Sequence, residues 1–277
     1  EGVPVTVLES HYQPGGCAGT FKRKEFVFDV GATQVAGFEL GGIHERIFRH
    51  LEHPLPSAEI LDPACSIDLG DNYGNIHLWH DHKKWVKERN VQFPGSENFW
   101  RLCSFLHKAN WDFINKDPIL PIRNLWDFAQ LLKALRPLTL CAGTLSVFSM
   151  LDLLRFTGTD KDQRLCKFLD LQLKLYSQEP LESTAALYGA TVLQMAQEPL
   201  GLWHLKGSMQ ELSTALTSCL FRKGAKLLLN HRVTSLVFNS YEDLWNVEVI
   251  NSKNKQISMK SFDVIFTPPP QALSDLL

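Results

Sequence analysis

Residues 3–37 read VPVTVLESHYQPGGCAGTFKRKEFVFDVGATQVAG, and this stretch decides the fold. A short apolar run of β-forming residues, 3–8, ends on a carboxylate, Glu9. A double glycine, Gly15–Gly16, follows, and a second apolar run spans 26–30. A strand, a carboxylate at its end and a glycine-rich turn are typical of the nucleotide-binding part of an α/β domain.

The carboxylate of Glu9 would close the second strand of a Rossmann-like unit, where it can accept hydrogen bonds from both hydroxyls of an adenosine ribose. Gly15 and Gly16 have no Cβ, so the backbone can approach a ligand closely. Cys17 and Ala18 are also small, which leaves room for a pyrophosphate beside exposed N–H groups. The segment therefore predicts the adenosine end of a dinucleotide site, and FAD is favoured over NAD. The alternative is a plain glycine turn between two elements.

The second run leads into Gly31, Ala32 and Thr33. A flat isoalloxazine ring needs a close backbone with few side chains, and these residues would supply it. Without the neighbouring glycine motif, a plain strand end explains the same residues equally well.

The glycine fingerprint G-x-G-x-x-G is expected about 20 residues before such a carboxylate. Only eight residues precede Glu9, and the chain runs from Glu1 to Leu277, just after a predicted strand. We therefore expect an internal fragment, truncated at both ends, with the first strand and the phosphate loop outside it. On that expectation, residues 1–277 alone would hold FAD weakly.

Composition narrows the function classes. With 28 Lys+Arg against 30 Asp+Glu, the chain has no basic excess, which argues against a nucleic-acid partner. The six cysteines show no C-x-x-C spacing, so neither a zinc site nor a disulfide framework is indicated, and reduced thiols in a cytoplasmic protein are expected.

The histidines of His77-x-x-His80-x-His82 lack further well-placed ligands, so we interpret them as a solvated turn and predict no metal. No G-x-S-x-G elbow is present, and no catalytic residue is assigned.

The spacing of apolar residues along the sequence divides the chain into three parts. We predict an α/β domain formed by 1–60 and 200–277, interrupted by a mostly helical substrate domain at 61–199. Ser208 is predicted to cap a helix that Gly224 ends. Further helices are predicted at 42–52, 124–135, 146–156, 160–176 and 183–197, with a break at Pro137, and one more helix is predicted to begin at Glu97. A hairpin is predicted at 61–80, and strands are predicted at 225–229, 233–238, 244–250, 256–259 and 263–267.

One helix has an unusual composition. Residues 123–136 combine aromatic, aliphatic and basic side chains, a mixture that suits a helix lying in a membrane interface. The alternative is an ordinary amphipathic helix packed on its own core. The uncharged run at 138–151 is shorter than the roughly 20 residues of a spanning helix.

These motifs together resemble a known family. VTVLE, PGGCAGTFKR and FVFDVGATQVAG, followed by a helical block and then by GLWHLKGSMQELSTAL and GAKLLLNHRVTSL, resemble the carotenoid desaturase and isomerase branch of the flavin amine-oxidase-like enzymes, which is related to phytoene desaturases. Within this branch, DVGATQVAG, FPGSE, RNLWD and LDLQLKLYSQ resemble the bacterial carotenoid C-3',4' desaturases. The resemblance covers essentially the whole chain.

The resemblance implies a glutathione-reductase-type FAD domain with an inserted helical substrate domain. It assigns the ribose to Glu9, and the pyrophosphate to Gly15, Gly16, Cys17 and Ala18. It places Gly31, Ala32 and Thr33 at the flavin, and Val233 with Thr267 at the adenine. At Cys17 many members of the wider group carry arginine, so here the phosphate contact would come from the backbone or from residues outside the chain.

The function implied is FAD-dependent desaturation of a carotenoid of the C-3',4' type. A redox-neutral carotenoid cis–trans isomerase, a flavin amine oxidase and a lipid-binding protein without flavin are the alternatives. The implied partners are a lipophilic carotenoid and, by peripheral contact, a membrane on its cytoplasmic side. The electron acceptor is not indicated by the sequence.

Overall fold

The structure is a computed structural model, and it describes residues 3–70 and 72–277. It confirms the mixed α/β class. The strands are β1 (Thr6–Leu8), β2 (Thr20–Arg23), β3 (Phe26–Asp29), β4 (Ala58–Ile60), β5 (Cys65–Ile67), β6 (Ile76–Leu78), β7 (Trp203–Leu205), β8 (Lys226–Leu228), β9 (His231–Asn239), β10 (Leu244–Asn251) and β11 (Gln256–Ser261). The helices are α1 (Ile43–His50), α2 (His82–Gln92), α3 (Glu97–Ile114), α4 (Leu125–Ala134), α5 (Pro137–Thr144), α6 (Met150–Thr157), α7 (Gln163–Ser177), α8 (Ala186–Val192), α9 (Gln210–Arg222) and α10 (Gln271–Ser274), with 3-10 turns at Gly16–Ala18 and Leu145–Val147.

The chain divides into two compact units. The first runs to Val35 and continues with His44–Glu59 and His204–Leu277. The second comprises Ala36–Ile43 and Ile60–Trp203. What each unit binds stays a prediction.

The first unit is built on short strands. β1 pairs with β8 in parallel, with Leu8 opposite Leu228. β9, β10 and β11 form an antiparallel sheet, and β2 with β3 forms a hairpin. Leu236, Val247 and Val249 form the buried centre of this unit, and Leu8 packs against them. The parallel pair therefore shares its core with the antiparallel sheet.

The second unit is mostly helical and has a large apolar core. Its aromatic centre joins α2, α3 and α7, because the Trp85 and Trp100 rings meet edge to face at 5.5 Å and the Phe93 and Phe168 rings lie 5.0 Å apart. Such pairs add roughly 0.5–1.5 kcal/mol to the stability that burial alone provides. β5 and β6 form the antiparallel hairpin expected within 61–80.

Most of the predicted elements are confirmed, with shifted ends. α1 lies within 42–52, α3 begins at the expected Glu97, and α4 begins directly after Asn124, whose side chain accepts a hydrogen bond from Asp127 N. α9 ends before Gly224, whose φ of 77° suits a glycine stop.

Three local predictions are wrong, and one helix was not predicted. No strand forms at 263–267, where the backbone is irregular. The predicted break at Pro137 is confirmed, because α4 ends at Ala134, but Pro137 also opens the unpredicted helix α5, since proline is accommodated in a first helical turn. His82 does not lie in a loop but begins α2, which Asp81 caps through Lys84 N. Ser208 makes no side-chain cap at α9.

None of the helices in the described ranges has the length and apolar character needed to span a bilayer.

Candidate functional site

Glu9 lies directly after β1, at the carboxyl end of the parallel pair. Its N–H donates to Leu228 O at 3.0 Å, and its carbonyl accepts from His231 N at 2.9 Å. Its half-buried carboxylate accepts hydrogen bonds at Oε1 from His11 N at 2.7 Å and from Ser10 Oγ at 3.4 Å, and no described residue donates a hydrogen bond to Oε2. The carboxylate thus lies at the strand tip, where ligands of open α/β sheets bind.

The double glycine forms a tight turn next to this strand. Gly15 has a φ of 124° and Gly16 a φ of 53°, both in the region that favours glycine. The turn closes when Ala18 N donates to Gly15 O at 2.9 Å and Gly19 N donates to Gly16 O at 3.1 Å. The N–H groups that open such a turn have no partner inside it and are available to an anion.

Helix α9 fixes the position of the loop. Gln210 Nε2 donates to Pro14 O at 2.8 Å, and Ser213 Oγ lies 3.4 Å from the same oxygen. A Cβ on Gly15 would lie 2.9 Å from Ser213 Oγ, so the loop packs directly on the helix. Sequence reasoning did not predict a role for Gln210 or Ser213, since the helical pattern identified the helix but not its contact across 196 residues.

The second predicted segment meets the first. Ala32 N donates to Cys17 O at 3.3 Å, and a Cβ on Gly31 would lie 3.0 Å from that oxygen. Thr33 is exposed, and its carbonyl oxygen lies 3.4 Å from His204 Nδ1. The glycine turn and the end of the β2–β3 hairpin therefore form one surface with few side chains.

The end of β3 is also joined to α9. Asp29 Oδ1 accepts a hydrogen bond from Met209 N at 3.0 Å, at the start of the helix. This carboxylate takes the place that the sequence predicts for Ser208, whose side chain is buried without capping the helix. A carboxylate is well suited to a helix N-terminus because it faces unpaired N–H groups and the positive end of the helix dipole.

Val233 and Thr267, the two residues predicted to lie near the adenine, differ in their distance from the predicted ribose site. Val233 lies on β9, and this strand begins at His231, whose N–H donates a hydrogen bond to Glu9 O. The strand of Val233 therefore starts beside Glu9. Thr267 is exposed in the irregular segment after β11. Among the described residues, no hydrogen bond joins Thr267 to the glycine loop or to Glu9.

This arrangement fits a dinucleotide-linked flavin. The carboxylate of Glu9 is available to a ribose, the opening N–H groups of the glycine turn to a diphosphate, and Gly31 with Ala32 to a flat ring. A Cβ on Gly15 would lie 2.9 Å from Ser213 Oγ, and a Cβ on Gly31 would lie 3.0 Å from Cys17 O, so the backbone here is close-packed on one side.

Burial shifts the pKa of several titratable side chains in the second unit. Burial raises the pKa of the Cys103 thiol and lowers the pKa of the His107 imidazole, so both are neutral at pH 7. His80 Nε2 lies 3.0 Å from Leu200 O and His77 Nδ1 lies 2.7 Å from Ser66 Oγ, so these rings do not converge. Within 3–70 and 72–277, no three His, Cys, Asp or Glu side chains are arranged to hold a metal ion.

Comparison with known proteins identifies the family. Residues 1–277 match the family described as flavin containing amine oxidoreductase. The chain belongs to that family. Membership in the flavin containing amine oxidoreductases implies a flavin cofactor, which agrees with the surface formed by Glu9, the glycine turn and the end of the hairpin.

Individual relatives of this flavin family are distant. The chain is 23% identical over 266 residues to an all-trans-retinol 13,14-reductase from Danio rerio, covering 92% of the chain and 42% of the relative. It is 27% identical over 254 residues to prolycopene isomerase 2, chloroplastic, from an Oncidium hybrid cultivar, covering 86% of the chain and 40% of the relative. The chain thus spans about two fifths of the length of these curated relatives.

A solved structure shares the fold of this chain. An oxidoreductase from Methanosarcina mazei superposes with a TM-score of 0.58 at 16% identity, covering 99% of the chain and 56% of that protein.

Proposed function

We propose that this chain belongs to an FAD-dependent oxidoreductase that desaturates a carotenoid at the C-3',4' position. The observation that carries the proposal is the placement of Glu9 at the end of a parallel strand, beside a glycine turn. This turn is joined to the segment after β3 by a hydrogen bond from Ala32 N to Cys17 O. This geometry suits a dinucleotide, because a carboxylate is available to a ribose close to N–H groups available to phosphates. FAD, which carries an adenosine, therefore fits better than FMN.

The proposed substrate class is a lipophilic polyene. The names of two relatives, an all-trans-retinol 13,14-reductase and a prolycopene isomerase, refer to conjugated polyenes, and this supports the choice. The mostly apolar core of the second unit is consistent with a substrate domain that excludes water. Peripheral contact with a membrane on the cytoplasmic side is part of the same proposal.

A bound flavin would supply the acceptor for the hydride that desaturation removes from one carbon, and the proton lost from the neighbouring carbon would pass to solvent as the double bond forms. The residues of this chain contribute binding and orientation. Glu9 would hold the adenosine ribose, the turn at Gly15–Gly16 the diphosphate, and Gly31 with Ala32 the face of the ring. We assign no proton-transferring side chain.

A second candidate is a redox-neutral carotenoid cis–trans isomerase on the same scaffold. Relatives named as prolycopene isomerases, at 27% identity, favour it. A flavin amine oxidase acting on a soluble amine is a third candidate, which the family description favours.

The test expresses the intact gene in a carotenoid-producing host and analyses the pigments by mass. Loss of two hydrogens supports the desaturase, an unchanged mass with altered elution supports the isomerase, and no pigment change with turnover of an amine supports the amine oxidase. Glu9→Ala should reduce both the pigment change and the amount of bound flavin, whereas Glu25→Ala, at an exposed carboxylate of the β2–β3 turn, should do neither. Full activity of Glu9→Ala would contradict the proposed site.

A further inference from the structure

A continuous part of the second unit exposes an unusual number of large apolar side chains. Between residues 120 and 147, Leu125 is 87% exposed, Val147 82% and Trp126 61%. We call this surface the α4 face. Its large apolar residues are Leu120, Ile122, Leu125, Trp126, Phe128, Leu132, Leu140 and Val147.

Helix α4 presents its apolar residues to the outside. Leu125, Phe128 and Leu132 follow one another at the spacing of a single helix face, with Trp126 beside them, and all are exposed. The opposite side holds the buried Asp127 and Ala134, and α4 and α5 both lie against α3. An ordinary surface helix has the reverse arrangement, so the apolar side of α4 is left unpartnered by its own unit.

The charge on the α4 face has one sign. From 118 to 151 the basic residues are Arg123, Lys133 and Arg136, and the single acidic residue is Asp127. Asp127 is buried and its carboxylate accepts a hydrogen bond from Arg123 N at 3.0 Å, so it completes the start of α4. The three basic residues are exposed, and within this range no carboxylate accompanies them at the surface.

We propose that the α4 face docks on an anionic phospholipid bilayer, with α4 lying in the plane of the interface. Exposed leucine and phenylalanine side chains would enter the acyl boundary, Trp126 would lie at headgroup level, and the three cations would face lipid phosphates. A second copy of the chain suits this surface less well, because two such faces would bring like charges together. The inference rests on the peripheral membrane contact in the proposed function and names the surface that would make it, but it does not depend on the proposed reaction.

The test measures partitioning of the full-length protein onto large unilamellar vesicles of neutral phosphatidylcholine, with or without 30% phosphatidylglycerol (about a third anionic, enough for a substantial surface potential). Wild type should prefer the anionic vesicles, and the preference should weaken as salt is raised. Neutralising Arg123, Lys133 and Arg136 together to glutamine should lower partitioning onto anionic vesicles about a hundredfold, at about fivefold per cation.

The apolar contribution is tested separately. The double variant Leu125→Ser and Trp126→Ser should lower partitioning by at least about tenfold. The matched control is Leu175→Ser, since Leu175 is 70% exposed on α7, outside the α4 face, and should bind as wild type does. Quenching of Trp126 by lipids brominated in the acyl chains, lost in Trp126→Phe, would support the in-plane position.

Three results would overturn the inference. The first is equal partitioning of wild type and of both α4-face variants, and the second is equal binding of wild type to neutral and anionic vesicles. The third is a soluble dimer that the Leu125→Ser and Trp126→Ser double variant dissociates, which would assign the face to a second copy of the chain. Because each readout is vesicle binding or oligomeric state, none depends on flavin content or on pigment chemistry.

Discussion

Gly15 and Gly16 are neighbours in the loop, yet the structure constrains them differently. Gly15 has a φ of 124° and packs against Ser213, whereas Gly16 has a φ of 53° and no heavy atom within 4 Å of an added Cβ. The first glycine is required for both backbone conformation and space. The second is required for conformation alone.

Substitution of these glycines should separate the two effects. Gly15→Ala should lower the free energy of unfolding by about 2–3 kcal/mol, through strain and the clash with Ser213. Gly16→Ala should cost about 1 kcal/mol, the ordinary cost of a left-handed residue. The measurement is urea unfolding of the full-length protein, with flavin absorbance read on the same samples.

Gly143→Ala is the matched control for these variants. Gly143 is exposed within α5 with open space around it, so alanine should stabilise the protein by about 0.5–1 kcal/mol. Equal costs for Gly15→Ala and Gly16→Ala would show that the contact with Ser213 does not constrain the loop.

At the level of elements, α9 organises the predicted flavin surface. Its first residues bind the glycine loop through Gln210 and the end of β3 through Asp29, so one helix positions two segments that are distant in sequence. A displaced α9 would move the loop and the hairpin together. This explains why the surface can be close-packed although its strands are short.

The cap of α9 can be tested by comparing Asp29 with Ser208. Asp29→Ala should destabilise the protein by about 1–2 kcal/mol, because Met209 N loses its acceptor and the helix dipole loses a favourable charge. Asp29→Asn, which keeps an acceptor oxygen, should recover most of this loss. Thermal and urea unfolding at pH 7 provide the measurement.

Ser208→Ala is predicted to have a much smaller effect on unfolding than Asp29→Ala, because Ser208 makes no side-chain cap. A loss for Ser208→Ala that matches or exceeds that of Asp29→Ala would restore the simple sequence prediction of a serine cap.

At the level of the whole molecule, a flavin site should appear as ligand-dependent stability. A ligand that binds only the folded state at a concentration of 100 times its Kd stabilises by about 2.7 kcal/mol. FAD added to flavin-depleted full-length protein should therefore raise its melting temperature, and removal of flavin should lower it. Intrinsic tryptophan fluorescence during heating is a suitable readout.

The same experiment examines the role of Glu9. Glu9→Ala should weaken FAD binding about 10- to 100-fold, since a hydrogen bond to a charged group is worth roughly 1.5–3 kcal/mol. It should leave stabilisation by FMN unchanged, because FMN has no adenosine ribose. If FMN stabilisation fell by the same factor, Glu9 would act on the fold and not on the adenosine.

Local patterns in the sequence were sufficient for much of the secondary structure. Asn124 marks the start of α4, Gly224 marks the end of α9, and the apolar, β-forming run at 26–28 marks the strand β3. Each depends on hydrogen bonds or side-chain periodicity within a few residues, which sequence displays directly. The position of Glu9 after a strand was predictable for the same reason.

Other features depended on contacts between distant residues. The sequence alone placed a carboxylate and two glycine-containing segments in order along the chain, because strand, turn and cap preferences are local. Only the tertiary structure decided that β1 pairs with β8 and that Ala32 N donates a hydrogen bond to Cys17 O. It also decided that Asp29, and not Ser208, accepts a hydrogen bond at the start of α9. It also decided that no strand forms at 263–267 and that the apolar side of α4 faces outward. These outcomes depend on which surfaces of distant segments pack together. The short stretches of sequence that set local structure carry no information about which of the possible packings is the most stable.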